Sequence, residues 1–258
     1  MTWRIAPILG AHDVEGTVDY YCTTLGFDCP GGVIKGNEGD HGIYAVLRRN
    51  GTELHIQIRR HSIWGDERNS VERSAYFYVN DVRALYKSFL RSHASIIQEP
   101  TDMPYGLCEM VIEDLEGHRI AFGSDSGLRD LTMWEVAPIL GTRDVGKTID
   151  WFVTALKFDC PGGLFRPVSH DAAVYGIVFR EQASIHIQIR RHLVFPTRRE
   201  SIETDAILFI DNVDELYQEY EIDGNVRIHR ELKDDPNGLH DFTVTTLDGH
   251  RMAFAAPR

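Results

Sequence analysis

The chain contains no apolar run approaching the roughly 18 residues that cross a bilayer as a helix. No charged-then-apolar leader opens it either. Together these absences set the expectation of a cytoplasmic protein with no membrane partner. Positive charge is also short: 27 Lys and Arg against 39 Asp and Glu leave a net charge of −12. A nucleic-acid partner calls for a basic face, so none is expected. Cysteine is scarce. Cys22, Cys29, Cys108 and Cys160 include no pair at C-x-x-C spacing, and they are expected to be reduced thiols packing as small hydrophobes. No serine or cysteine stands in an elbow or triad context, so no activated nucleophile is signalled. The overall balance, 43% hydrophobic and 26% charged, is that of an ordinary globular chain.

What the chain does have is duplication. His-Ile-Gln-Ile-Arg-Arg-His occurs at His55–His61 and again at His186–His192, 131 positions later. At the same spacing Trp3 pairs with Trp134, Ala6–Gly10 with Ala137–Gly141, Asp13-Val14 with Asp144-Val145, and Phe27–Gly32 with Phe158–Gly163. Late in each half the spacing slips by one, pairing Gly117-His118-Arg119 with Gly249-His250-Arg251. A period this long is too large for a solenoid unit and close to a domain. Two domains are therefore expected, 1–127 and 128–258, with a small, polar linker around Ser124–Leu131.

Each half reads as one pattern used twice. A short apolar strand from Trp3 ends near Gly10, and Asp13 fits the cap of a helix carrying Val14, Val18, Tyr21, Cys22 and Leu25 inward. Gly42–Arg48 and Glu53–Arg59 are two strands joined at Asn50-Gly51, a strong hairpin signal. The pattern restarts with a strand at Ala75–Val79 and Asp81 capping a helix, Val82–Arg91, with Val82, Leu85, Tyr86, Phe89 and Leu90 inward. Strands follow at Ile96–Gln98, Cys108–Glu113 and Arg119–Gly123. The second half repeats this order, so four βαβββ units are expected.

This order, with several strings, resembles the vicinal oxygen chelate superfamily of glyoxalases, extradiol dioxygenases and bleomycin-resistance proteins. The strings are Asp13-Val14 with Tyr20-Tyr21 and Leu25-Gly26-Phe27; Phe77-Tyr78-Val79-Asn80-Asp81-Val82-Arg83-Ala84-Leu85; and Pro104-Tyr105-Gly106 followed by Glu113-Asp114-Leu115-Glu116-Gly117-His118. The second copy matches with Pro236-Asn237-Gly238 and Leu247-Asp248-Gly249-His250. The resemblance implies an α+β fold of two tandem domains, each of paired βαβββ modules forming a curved mixed sheet around a cleft. Metal-using members carry ligands at positions that fall here on Ala6, Ser74 and Ala121, and on Ala137, Asp205 and Ala253. Alanine offers no donor, and a catalytic metal generally needs about three protein ligands. Asp205 is the one surviving candidate. His55 and His186 occupy a slot where relatives can place a carboxylate, but one imidazole per half is no chelate. No metal, no cofactor and no catalytic residue is expected.

Side chains on a strand alternate faces. His55, Gln57, Arg59 and His61 thus share one face, as do His186, Gln188, Arg190 and His192, and the resemblance puts that face on the pocket's concave wall. A fixed cation, an amide and an imidazole suit a planar or anionic group. The competing reading is that these residues tie the two domains together. Trp64 is a candidate lid, with Phe195 as its offset counterpart, and His118 and His250 are read as solvent-facing or sheet-edge residues. The expectation is a metal-free small-molecule binder, resembling the bleomycin-resistance group, with ligand in a cleft between paired domains. Whether the chain is a monomer or a homodimer stays open. Two rivals stand beside this reading: a metal-dependent glyoxalase-type lyase or dioxygenase, and an interaction module whose cleft is filled by its own side chains.

Overall fold

The computed structural model describes residues 3–36, 41–60, 72–125, 133–168, 171–190, 199–200, 202–235 and 238–258. The βαβββ pattern appears four times. The first module is β1 (Arg4–Ala11), α1 (Val14–Thr23), β2 (Ile34–Lys35), β3 (Gly42–Arg49) and β4 (Thr52–Ile58). The second is β5 (Ala75–Tyr78), α2 (Val82–Arg91), β6 (Ile96–Asp102), β7 (Leu107–Glu113) and β8 (Arg119–Asp125). The third is β9 (Glu135–Thr142), α3 (Val145–Thr154), β10 (Leu164–Phe165), β11 (Tyr175–Arg180) and β12 (Ala183–Ile189). The fourth is β13 (Ala206–Phe209), α4 (Val213–Asp223), β14 (Arg227–Asp234), β15 (Leu239–Thr245) and β16 (Arg251–Pro257).

Local chemistry accounts for these boundaries. The side chains of Asp13, Asp81 and Asp144 accept from the amides of Gly16, Ala84 and Lys147, satisfying first-turn donors that a helix leaves unpaired. Asn212 does the same for Glu215. Asn50 and Gly51 both take positive φ (46° and 83°), as a two-residue hairpin of matching twist requires. In α2 the inward face is Val82, Leu85 and Phe89. Leu90, expected inward, is 51% exposed, because it follows Phe89 by one residue and falls 100° round the helix.

Within every module the first and last strands pair in parallel and the others antiparallel, which makes the sheets mixed. Strand order is β14-β15-β16-β13-β1-β4-β3-β2 in one sheet and β10-β11-β12-β9-β5-β8-β7-β6 in the other. The α+β class with paired modules is thus as expected. No helix among the described residues is long and apolar enough to cross a membrane. All four cysteines are free.

The chain forms two compact units. One takes the start of the chain to Ala6 together with Ala137–Arg258; the other lies within Pro7–Val136. Strand β1 therefore changes unit after Ala6, and β9 after Val136. The core of the Ala137–Arg258 unit includes Trp3 and Ile5 beside Phe152, Phe158, Tyr220, Phe242 and Phe254. The core of the Pro7–Val136 unit includes Trp134 and Val136 beside Tyr21, Phe27, Phe77, Phe89 and Phe122. Arg180 lies over the Trp3 ring at 4.0 Å, and Arg49 over the Trp134 ring at 4.6 Å. Each repeat's leading tryptophan is thus matched with the arginine of the other repeat.

Candidate functional site

On β4, Leu54 and Ile56 are buried in the core and Ile58 packs against it. Alternation leaves Glu53, His55, Gln57 and, past the strand end, Arg59 on the opposite face. On β12, Ile185 and Ile187 face the core and His186, Gln188 and Arg190 take the other side. The parallel neighbours repeat as well: Ile8 and Gly10 stand beside His55 and Gln57, as Ile139 and Gly141 stand beside His186 and Gln188. His61, His192, Trp64 and Phe195 lie outside the described residues.

The glycines matter because of what lies on them. A Cβ on Gly10 would come within 2.1 Å of Arg59 Cδ, and one on Gly141 within 2.1 Å of Arg190 Cδ. Each arginine stem therefore rests on bare backbone. The glycine carbonyl beneath is held in turn: His118 Nε2 is 2.7 Å from Gly10 O, and His250 Nε2 is 2.8 Å from Gly141 O. A carbonyl only accepts, so Nε2 carries the proton in both rings. This corrects the reading of His118 and His250 as solvent-facing or edge residues. They are 3% and 6% exposed, because the turn before β8 or β16 folds the ring inward onto β1 or β9.

The stripe histidines have fixed neighbours too. Tyr44 Oη meets His55 Nδ1 at 2.5 Å, and Tyr175 Oη meets His186 Nδ1. The repeats then diverge. In the first, Glu53 Oε2 is 3.7 Å from His55 Nε2, and Arg48 grips Glu53 Oε1 through Nε and Nη2, both at 2.8 Å. His55 and Arg48 hold the Glu53 carboxyl down at about 2, against the opposing effect of burial. In the second repeat these positions are Ser184 and Phe179, and burial pushes the His186 imidazole down to about 3. His186 is neutral at physiological pH. All four His and Gln side chains are buried; Arg59 and Arg190 are only half-buried, so they are the accessible part of each stripe.

The family resemblance places metal ligands at six positions of this chain. Ala6, Ala121, Ala137 and Ala253 carry no donor atom. Ser74 Oγ is 3.2 Å from His118 Nδ1. Asp205 gives both oxygens to Arg199, at 2.9 and 3.0 Å, and accepts the Arg251 amide as well. Among the described residues no three His, Cys, Asp or Glu come together as a metal-holding group.

The first repeat, residues 4–122, matches the model of the Glyoxalase/Bleomycin resistance protein/Dioxygenase superfamily. This repeat belongs to that superfamily. Glyoxalase I from Zea mays is similar to nearly the whole chain, with 12% identity over 99% of this chain and 92% of that one and a TM-score of 0.63. A putative dioxygenase from Bacillus subtilis subsp. subtilis str. 168 is 11% identical over 98% of this chain and 84% of its own, with a TM-score of 0.66. At such identities the likeness speaks for the glyoxalase-type fold alone, and it does so across both repeats. A bleomycin-binding protein from Streptomyces verticillus is 26% identical over 45% of this chain and 91% of its own, with a TM-score of 0.35. No curated protein sequence matches the chain.

Sequence reasoning missed Gly10, Gly141, Tyr44, Tyr175, His118 and His250 as parts of the site. Their signal was present, since each pair is matched between the repeats.

Proposed function

We propose that the protein is a small-molecule binder in which each repeat offers its own arginine, Arg59 in one and Arg190 in the other, to a planar or anionic group such as a carboxylate. His55, Gln57, His186 and Gln188 form the polar wall behind them, and neither a metal nor a catalytic step is involved. The observation carrying this reading is the arginine stem laid across a side-chain-free strand, which recurs in both repeats. An arginine whose stem is held this way has less conformational entropy to lose when its planar guanidinium meets a carboxylate. The alanines at the family's metal positions, and the two oxygens of Asp205 committed to Arg199, support the metal-free part.

The test is a thermal-shift screen of small carboxylates and aromatic acids on the intact protein, followed by Arg59→Ala and Arg190→Ala. A binding ligand raises apparent stability by mass action. At least one acid should raise Tm in a dose-dependent way, and the arginine variants should lose that shift while keeping their unliganded Tm within a few degrees. Elemental analysis of protein purified without chelator should show no stoichiometric Zn, Ni, Mn or Fe. Burial of His55, Gln57, His186 and Gln188 favours a second reading, a wall closed by the protein's own side chains. If no acid shifts Tm and both arginine variants lose baseline stability, that reading replaces the first.

A further inference from the structure

Strand β15 carries Phe242 and Val244 into the core, so Asp241 and Thr243 take its other face. Both are nearly sealed, at 4% and 1% exposed. Their register partners on β16 are Ala255 and Ala253, which reach no further than Cβ. Arg230 on β14, beside Thr243, pairs its Nη2 with Asp241 Oδ2. A guanidinium facing a carboxylate often closes two parallel bonds. Here the second is not made: Arg230 Nε, Asp241 Oδ1 and Thr243 Oγ1 are buried and have no hydrogen-bond partner in the protein. Buried polar atoms are paired as a rule. This set of one donor, one acceptor and one hydroxyl is met by an atom that accepts from Nε and donates to Oδ1. A hydroxyl oxygen does both.

The sister repeat fills the corresponding place from within. Asp241 corresponds to Glu109, Thr243 to Val111, Ala255 to Gly123 and Ile207 to Tyr76. Tyr76 Oη donates to Glu109 Oε1 at 2.8 Å, passing so near Gly123 that a Cβ there would lie 1.8 Å from Oη. The Ala137–Arg258 unit has exchanged that phenol for the side chain of Ile207, added the Thr243 hydroxyl, and left the carboxylate without the donor its counterpart enjoys.

We infer that Arg230, Asp241 and Thr243 form a binding site for the hydroxyl group of a small neutral ligand. Its O–H plays toward Asp241 the part that Tyr76 plays toward Glu109. The site uses none of the stripe residues and stands or falls apart from the Arg59 and Arg190 reading.

The test is calorimetric titration of the intact protein with p-cresol, which is the tyrosine side chain as a free molecule, and with toluene, which lacks only the hydroxyl. Saturable one-to-one binding of p-cresol is expected, about tenfold or more tighter than toluene, given what a buried hydrogen bond to a charged group contributes. Asp241→Asn and Thr243→Val should each weaken it several-fold. The double variant Ile207→Tyr with Ala255→Gly rebuilds the internal donor, so it should abolish p-cresol binding and raise Tm. Thr243→Val is nearly isosteric and carries the test should Asp241→Asn not fold. Equal affinity for toluene, no saturable binding, or a crystal structure in which p-cresol leaves a lone water bridging Nε and Oδ1 would each overturn the proposal.

Discussion

Gly10 and Gly141 act through the atom they lack. Gly10→Ala places a methyl where Arg59 Cδ runs, and the flexible arginine, not the backbone, must give way. Glycine inside a strand costs conformational entropy, so each of Gly10→Ala and Gly141→Ala should change stability by less than about 1 kcal/mol in chemical denaturation. The same variants should lose acid-induced thermal shifts as completely as the arginine variants do. A second residue-scale difference concerns Tyr21 and Asp114. Tyr21 Oη donates to Asp114 Oδ2 at 2.9 Å, and both are buried. Desolvation pushes the Asp114 carboxyl up to about 7. The folded protein then keeps a proton that the unfolded chain sheds near pH 4. Stability attributable to Asp114 is greatest below pH 4 and falls as pH rises to about 7. Asp114→Asn, which mimics the protonated acid, should remove that slope and stabilise the protein at pH 8 by a few kcal/mol at most, roughly 1–3; a variant less stable at pH 8 than the parent would refute it. The second repeat has Phe152 and Thr246 at these positions, losing hydroxyl and carboxylate together. His55, Gln57 and Arg59 were legible as a stripe because strand alternation is local. Tyr44 and His118 were not, because Tyr44 reaches the site from β3 and His118 from the turn before β8.

At the scale of elements, caps, hairpin and helix faces were legible because their causes lie within a few residues: Asp13 and Gly16, Asn50 and Gly51, Val82 through Phe89. The strands were placed to within a few residues, and β6 runs past the expected Gln98 because its later residues pair with β7. The residues just before β1 and β9, Trp3 and Trp134, each bring an indole into a core. Trp3 meets Phe158 and Phe254 edge-on, each at 6.0 Å, and Trp134 meets Phe77 and Phe122, each at 6.3 Å. Trp3→Ala and Trp134→Ala should each cost about 3–5 kcal/mol by equilibrium denaturation, as cavities of that size do. A double-mutant cycle between Trp3 and Arg180 should give a coupling of about 0.5–2 kcal/mol. The same cycle between Trp3 and Arg49, the arginine of its own repeat, should give a coupling near zero. The reverse result would mean that each tryptophan serves the repeat it begins.

Across the whole molecule the buried titratable groups oppose one another. His186, held neutral, makes the fold lose stability as pH falls from about 6.5 toward 3, because the unfolded chain gains a proton that the folded one refuses. Glu53, held ionised, adds a further loss as pH falls from 4.5 toward 2. Asp114 works the other way between about 4 and 7. A stability curve nearly level between pH 4.5 and 6.5, with a steep acid limb below, is the expected outcome of denaturant titrations at stepped pH. His186→Gln should tilt the level part so that stability falls with rising pH, and Asp114→Asn should tilt it the opposite way. Unchanged slopes in both variants would show that other groups set the curve. The amino-acid sequence by itself determined the duplication, the four βαβββ modules and the faces of β4 and β12, because periodicity, capping and turn chemistry act between near neighbours. Only the tertiary structure decided which core receives Trp3 and Trp134, what rests on Gly10 and Gly141, and that Asp205 is committed to Arg199. The packing of distant segments selects those pairings, and packing writes no period into the chain.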